Sequence, residues 1–208
     1  MRTLLVGALD LETRPLLGAL GRTRRIAPRT VLGSLHGQDV ALLTCGIGPA
    51  RAHRATRAAL SIFPADRIVS IGTAGALVDG LARGSVHTAT ALLSGGVHRT
   101  DLAPLGNLPG VSISTVSRAV WDAERRQLLA AAGAELVEME LAAVHDAACE
   151  QVPQASVHAI KVVSDAAGAG RKVPRRGLDH LIAILRFRAR ARALCRNHLR
   201  DAVIDALR

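Results

Sequence analysis

Apolar runs of strand length alternate along the chain with segments of helical periodicity. Strands are predicted over 3–9, 66–77, 84–93, 111–116 and 155–163, with a further pair over 31–48. Helices are predicted over 11–20, 49–63, 121–133 and 141–151. Strands that alternate with helices predict an α/β fold in three αβα layers, around a central sheet that is mixed but mostly parallel.

The chain ends in a basic segment, for which the pattern predicts a long helix over 178–207. Its predicted apolar stripe comprises Leu178, Leu181, Ile182, Leu185, Val203 and Leu207. The segment 94–110 is rich in glycine and proline and is predicted to be a loop. Because no repeat or low-complexity linker interrupts the chain, we expect residues 1–208 to form a single domain.

Charge is concentrated at the C-terminal end. The net charge is +10, and residues 171–208 contribute 11 Lys/Arg against three Asp, or +8. A basic tail raises the question of nucleic acid, but the chain has only three aromatic residues and so offers no stacking platform. We therefore favour a solvated helix face and do not expect nucleic acid, while contact with an anionic membrane surface stays open.

Composition also bears on the compartment and on metals. No apolar stretch approaches the roughly 20 residues of a membrane span, and the N-terminus turns acidic too early for a signal peptide. The three cysteines are Cys45, Cys149 and Cys195, too far apart to form a CxxC pair. We expect a reducing cytoplasm and no structural metal, and the eight histidines show no metal-binding spacing.

Candidate chemistry lies at the ends of the predicted strands. Glycines stand there in Gly46-Ile47-Gly48 and Gly72-Thr73-Ala74-Gly75, and carboxylates in Asp10, Glu12 and Asp165. In α/β sheets, ligands bind at the carboxyl ends of strands, where glycine lets them approach the backbone. A dinucleotide fingerprint is excluded, since Arg51 stands where a third small residue is needed.

A second cluster is Glu138-Met139-Glu140, which follows a short apolar segment and opens a helix. Stabilisation of the helix dipole is the favoured explanation of the two acids when they are taken alone, and a ligand is the alternative. On these residues alone the two explanations stay open.

Together the pieces resemble a known family. The order of Glu12, "CGIGPARA", "SIGTAGAL", "VEME" and "VVSDAAG" is similar to the nucleoside phosphorylase/nucleosidase superfamily. The pattern most resembles the methylthioadenosine/S-adenosylhomocysteine nucleosidases, over most of residues 1–168. The resemblance implies a nucleoside phosphorylase-like fold and cleavage of an N-ribosidic bond without metal or organic cofactor.

The resemblance also assigns roles to residues. Asp165 matches the acid that protonates or hydrogen-bonds the leaving purine, a task suited to a carboxyl at the dry end of a strand. Glu140 matches the glutamate that holds the ribose hydroxyls, with Met139 packed on the sugar, and Glu12 matches the general base for water. The further substrate-binding residues expected are Thr73, Ala74, Gly75, Val120, Glu138 and Ser164.

Two features of the sequence decide between water and phosphate as nucleophile. Phosphorolytic relatives place an arginine just before the glycine turn, where this chain has Val69-Ser70-Ile71, and they generally lack the carboxylate found at Glu12. Both favour hydrolysis. Arg51 and Arg54, after the first glycine turn, are the counterweight, although both also suit surface positions on a helix.

The base pocket departs from the pattern, because the region 93–121 is shorter than in such nucleosidases. Ala119 and Val120 stand where an aromatic-aliphatic pair is expected, and Trp121 either replaces the lost ring or belongs to the core. The base therefore stays open.

The leading hypothesis is a nucleosidase acting on methylthioadenosine, S-adenosylhomocysteine or a related adenosyl compound. One alternative is a purine nucleoside phosphorylase, or a relative acting on futalosine or adenosyl-hopane lipids. The alternative from another class is a non-catalytic nucleoside- or nucleic-acid-binding protein. A homodimer is expected from the resemblance.

Overall fold

The structure is a computed structural model that describes residues 1–94, 98–167 and 178–208, leaving aside the side chains of residues 98 and 178–184. Ten strands form one mixed sheet. The strands are β1 (Arg2–Gly7), β2 (Gly21–Ala27), β3 (Thr30–Leu35), β4 (Gln38–Thr44), β5 (Arg67–Ala76), β6 (Val86–Ser94), β7 (His98–Asp101), β8 (Gly110–Thr115), β9 (Leu136–Glu138) and β10 (Ser156–Asp165). The helices are α1 (Asp10–Leu17), α2 (Pro49–Ile62), α3 (Ala123–Ala131), α4 (Leu141–Gln151), α5 (Leu178–Leu194) and α6 (Arg200–Ala206).

The sheet closes partly on itself. Its order is β10-β6-β8-β9-β5-β1-β4-β3-β2, and β10 also pairs with β5, so β5, β10, β6, β8 and β9 form a ring. The predicted mixture of strand directions is confirmed, but parallel pairing does not predominate. Five of the ten pairings in the described chain are parallel and five antiparallel.

Helices cover both faces of the sheet around β1, β4 and β5. On one face, α2 and α4 pack on the side chains of Leu4, Val6 and Ile68. On the other, α1 and the C-terminal helices pack on Leu5 and Val69. Successive residues of a strand point to opposite faces, so continuous apolar runs such as "TLLV" are what this burial on both faces requires.

The C-terminal helix departs from its predicted form in two ways. A π-helical turn, Cys195–Leu199, separates α5 from α6. Val203 and Leu207 lie in the core as predicted, whereas Leu185 is exposed, so its place in the stripe was wrong. The side chains of Leu178, Leu181 and Ile182 lie outside the described residues.

Three strands were not predicted from the sequence. β2 is almost fully exposed and arginine-rich, β9 has three residues, and β7 lies within the predicted loop 94–110. Within the described residues, no helix is long and apolar enough to cross a membrane.

Candidate functional site

Two of the predicted carboxylates lie against the end of β5, Glu12 at Thr73 and Asp165 at Gly75. The backbone N–H of Thr73 donates to Glu12 Oε1 at 3.0 Å. Asp165, the last residue of β10, is the register partner of Gly75. The two side chains predicted to act as base and acid therefore meet at the same strand end, as the rule for parallel strands requires.

Glu12 is held from two sides. Its position in the first turn of α1 lets Oε2 accept the N–H groups of Ala8 and Leu9, at 2.9 and 3.0 Å. Oε1 accepts both the N–H and the hydroxyl of Thr73. Glycine is required at position 72, whose φ is +145°, because a Cβ there would lie 2.6 Å from Glu12 Oε1. The carboxylate is thus buried and oriented before any ligand arrives.

The surroundings of Asp165 differ from the expected dry strand end. Its side chain is 37% exposed and forms an ion pair with Arg126, whose Nη2 lies 3.0 Å from Oδ2. The hydroxyl of Ser164 lies 2.6 Å from Oδ1. The carboxyl group is therefore partly solvated, and both of its oxygens have a protein partner.

Glu140 lies against the first glycine turn. The N–H of Gly48 donates to its Oε1 at 2.8 Å. Burial, and then the charge of Glu138, raise the pKa of Glu140 to about 7. Met139 also faces this turn, with its Cε 3.9 Å from where a Cβ on Gly48 would be.

Glu138 is placed behind the site instead of facing it. Its oxygens accept the hydroxyl of Thr115 at 2.6 Å and the N–H groups of Glu140 and Leu141. Its side chain is 1% exposed and pairs with Lys161 at 3.1 Å. Because it is buried and accepts the N–H groups of Glu140 and Leu141, Glu138 orients the segment that carries Glu140.

Lys161 is a residue that the sequence analysis passed over. It stands in the middle of β10, fully buried, and donates to Glu138 and to the hydroxyl of Ser70. Burial alone would lower its pKa, but the charges of Glu138, Glu140 and Glu12 outweigh burial and raise it. The charge of Lys161 thus offsets part of the negative charge of these three acids. In the sequence, a lysine inside an apolar run is the signal that could have identified this residue.

Arg126 is the second residue that was missed. It lies on α3, is 7% exposed, and donates to the carbonyls of Ala76 and Val120 as well as to Asp165. Its hydrogen bonds thus connect the candidate acid with the end of β5 and with the segment before α3. On the helix it shares a face with partly buried Leu129, a weak signal that this arginine points inward.

The predicted base pocket is formed in part. Ala74 and Val120 are buried, and the carbonyl of Ala74 accepts the hydroxyl of Ser164. Trp121 is 50% exposed, which excludes the alternative that it belongs to the core.

The remaining candidates do not add a second centre. Burial, followed by the charges of Glu140 and Glu12, raises the pKa of the Cys45 thiol to about 12, which leaves it a protonated small residue at neutral pH. Over the described ranges, no three His, Cys, Asp or Glu side chains are grouped as metal ligands.

Part of the chain is similar in sequence to a known enzyme. A 5′-methylthioadenosine/S-adenosylhomocysteine nucleosidase of Shewanella oneidensis is 32% identical over 89 residues, which are 41% of this chain and 38% of that protein. The chain thus matches well under half of that relative's length.

Solved structures resemble the whole chain. A 5′-methylthioadenosine/S-adenosylhomocysteine nucleosidase of Colwellia psychrerythraea, in complex with adenine, has a TM-score of 0.81 at 19% identity, covering 100% of this chain and 94% of its own. A futalosine hydrolase of Helicobacter pylori has a TM-score of 0.74 at 16% identity, covering 98% of both chains. At these identities the likeness establishes the fold.

Residues 2–110, just over half of the chain, match the family described as the phosphorylase superfamily. This segment contains α1, which carries Glu12, and the ends of β1 and β5, where Ala8, Leu9 and Thr73 hold its carboxyl group. Sequence match and fold thus agree on the half of the molecule that builds the predicted base, and the chain belongs to the phosphorylase superfamily.

Proposed function

We propose that the protein is a nucleosidase that hydrolyses the N-glycosidic bond of a purine nucleoside, such as methylthioadenosine, S-adenosylhomocysteine or a related adenosyl compound. The observation that carries the proposal is that Glu12 and Asp165 lie against Thr73 and Gly75, which are two residues apart at the end of β5. Glu140 lies close enough to Glu12 for the charge of Glu12 to contribute to its raised pKa. The named relatives are nucleosidases of this kind, which supports the substrate class.

In the proposed reaction Asp165 serves the leaving base. As the bond between the anomeric carbon and the purine breaks, electrons move to the base, which must take up a proton. A carboxyl hydrogen-bonded to the purine delivers or stabilises that proton. Ser164 and Arg126 fix the two oxygens of Asp165, so little reorganisation is needed at that step.

Glu140 and Glu12 serve the sugar and the water. Two ribose hydroxyls donating to the Glu140 carboxylate form an oriented, charge-assisted contact. Glu12 takes a proton from water as the oxygen bonds to the anomeric carbon. Its oxygens already accept four hydrogen bonds, and the longest, 3.2 Å, comes from the Thr73 hydroxyl, which rotates away most easily to admit the water.

Water is favoured over phosphate as the nucleophile. The buried negative charge of Glu12 lies where the nucleophile must approach, and it would repel an attacking anion. Position 70, just before the glycine turn, is a buried serine whose hydroxyl accepts from Lys161. An arginine for phosphate is therefore missing from that position.

The substitution Asp165→Asn tests the assignment. It keeps the shape of the side chain and removes the acid, so turnover should fall by about 100-fold or more while nucleoside binding persists. Ser117→Ala, at an exposed position before α3, is the control. Unchanged turnover in the Asp165→Asn variant, measured by release of free base, contradicts the proposed role.

We further propose that residues 1–208 are a single three-layer domain, which the helices on both sheet faces support. The unpaired thiols of all three cysteines support a cytoplasmic location. No cofactor is invoked.

Two partners belong to the same proposal. Trp121, just before α3, and Leu128, on α3, are large and exposed and support a homodimer, which a light-scattering mass of one chain would contradict. Exposed Leu185 and Phe187, on the arginine-rich α5, support peripheral contact with an anionic membrane. Failure to co-sediment with anionic vesicles contradicts that contact.

A further inference from the structure

A large cavity opens beside the first glycine turn. Its volume is about 570 Å³, far more than a methylthio group fills. Part of its wall is apolar: Leu9, Leu17, Val31, Leu42 and Ile47. Its charged lining consists of Arg14, Arg25, Arg29, Arg51, Arg188 and Asp10.

The five arginines reach this cavity from five separate parts of the chain. They stand on α1, on β2, on the turn before β3, on α2 and on α5. Convergence from so many elements is unlike the even scatter of charge on a solvated face. It concentrates positive charge at one point of the fold.

Two of the arginines lie directly against the glycine turn. A Cβ on Gly46, whose φ is +90°, would be 3.2 Å from Arg51 Cδ and 3.8 Å from Arg29 Nη1. Glycine at this position keeps the turn tight enough for both side chains to approach it.

The positive charge in the cavity is largely uncompensated. Asp10 is the one acid in its lining. None of the five arginines has a carboxylate within salt-bridge distance in the part of the chain that the structure describes. Guanidinium groups in this state attract phosphate or carboxylate, which they bind with paired hydrogen bonds.

The cavity also adjoins the site where the sugar is proposed to bind. Ala8, whose N–H holds Glu12, lines it, and so does Gly46, two residues before the Gly48 that holds Glu140. A nucleoside gripped at its ribose hydroxyls by Glu140 has its 5′ carbon free to extend past the turn.

We propose that the substrate carries a phosphate on its 5′ carbon and that this arginine-lined cavity binds that phosphate. The inference rests on the proposed nucleosidase activity and specifies its substrate class. The anion belongs to the substrate and is not the nucleophile. Glu12, the proposed base, is not among the residues that line the cavity.

The test compares nucleosides with their own 5′-monophosphates. Adenosine and inosine are each paired with the matching monophosphate, and free base is measured by chromatography. We expect kcat/KM to be at least about tenfold higher for the monophosphate. The preference should shrink as salt is raised from about 50 to 500 mM, because exposed charges are screened.

Variants on one helix locate the effect. Arg51→Gln removes a charge beside Gly46, and the ratio of kcat/KM for monophosphate over nucleoside should fall by about tenfold. Arg54→Gln is the matched control, since Arg54 is exposed on the same helix and lines a different cavity. Its ratio should equal that of the unmodified protein.

The outcomes separate this inference from the proposed function. Equal or better cleavage of the neutral nucleosides overturns the inference and leaves the nucleosidase intact, as does an equal ratio in Arg51→Gln. Formation of ribose 1-phosphate when inorganic phosphate is added to a neutral nucleoside also overturns it, because the anion would then be the nucleophile. Absence of base release from every substrate contradicts the proposed function itself.

Discussion

Glu140 shows how one buried charge sets conditions on both stability and binding. Its pKa is raised to about 7 by burial and then by Glu138. The folded protein therefore holds this proton more tightly than the unfolded chain, whose value is near 4.5. Stability accordingly falls as the pH rises between about 4.5 and about 7. Ribose binding, which needs the carboxylate, should strengthen over the same interval.

The substitution Glu140→Gln tests this linkage. Glutamine keeps the acceptor for the Gly48 N–H and removes the charge. Between pH 5 and pH 8, the unfolding free energy of the variant should therefore rise by about 1–3 kcal/mol relative to that of the unmodified protein. Thermal unfolding at the two pH values measures the difference. Glu124→Gln, at an exposed position, is the control; the same pH dependence in both variants would rule the linkage out.

Arg126 gives a second prediction at this scale. In Arg126→Gln, the carbonyls of Ala76 and Val120 lose their donor and Asp165 loses its ion pair. We expect a loss of about 1–3 kcal/mol in unfolding free energy. We also expect at least a tenfold fall in kcat from misplacement of the acid.

Arg125→Gln, next to it on the exposed side of α3, should change neither quantity. Denaturant unfolding and base release measure the two effects. If both variants behave alike, Arg126 does not hold Asp165.

The residues that the sequence predicted share one property. Glu12, Asp165 and Glu140 lie at strand ends or helix starts, where local pattern and family resemblance both point. Arg126 and Lys161 depend on contacts with residues 39 and 23 positions away, respectively. Such contacts leave no local pattern, and the inward direction of Arg126 follows only from how α3 packs.

At the scale of elements, the predicted strands and helices were recovered where an apolar run or a helical stripe marked them. β2 escaped because its exposed arginines conceal a strand that pairs at the sheet edge. β9 is three residues long, below the length at which periodicity can be seen. Both are defined by their partners across the sheet.

The C-terminal helices give the element-scale prediction. Leu199, in the π-helical turn, is fully buried against the core around β1 and β5, whereas Leu185 on α5 is 56% exposed. Leu199→Ala should cost about 2–5 kcal/mol in unfolding free energy. Leu185→Ala should cost no more than about 0.5 kcal/mol.

Denaturant unfolding decides the point. Equal losses would mean that α5 and α6 do not dock as described.

At the scale of the whole molecule, the closing of the sheet explains how distant segments form one site. The β10–β5 pairing places the end of β10 beside the end of β5, and β9 pairs with β5 on the way to Glu138. The sequence predicts an α/β fold with helices on both faces, but ring closure depends on which strands pair, and periodicity does not encode that.

The most direct test of the account is release of free base by the purified protein, measured by chromatography over a panel of purine nucleosides and 5′-substituted derivatives, with and without phosphate. Hydrolysis releases free base and a sugar without a 1-phosphate, and we expect its rate to be independent of added phosphate. We also expect loss of that release in Asp165→Asn. No base from any substrate, or base only when phosphate is present, would contradict the proposed hydrolysis.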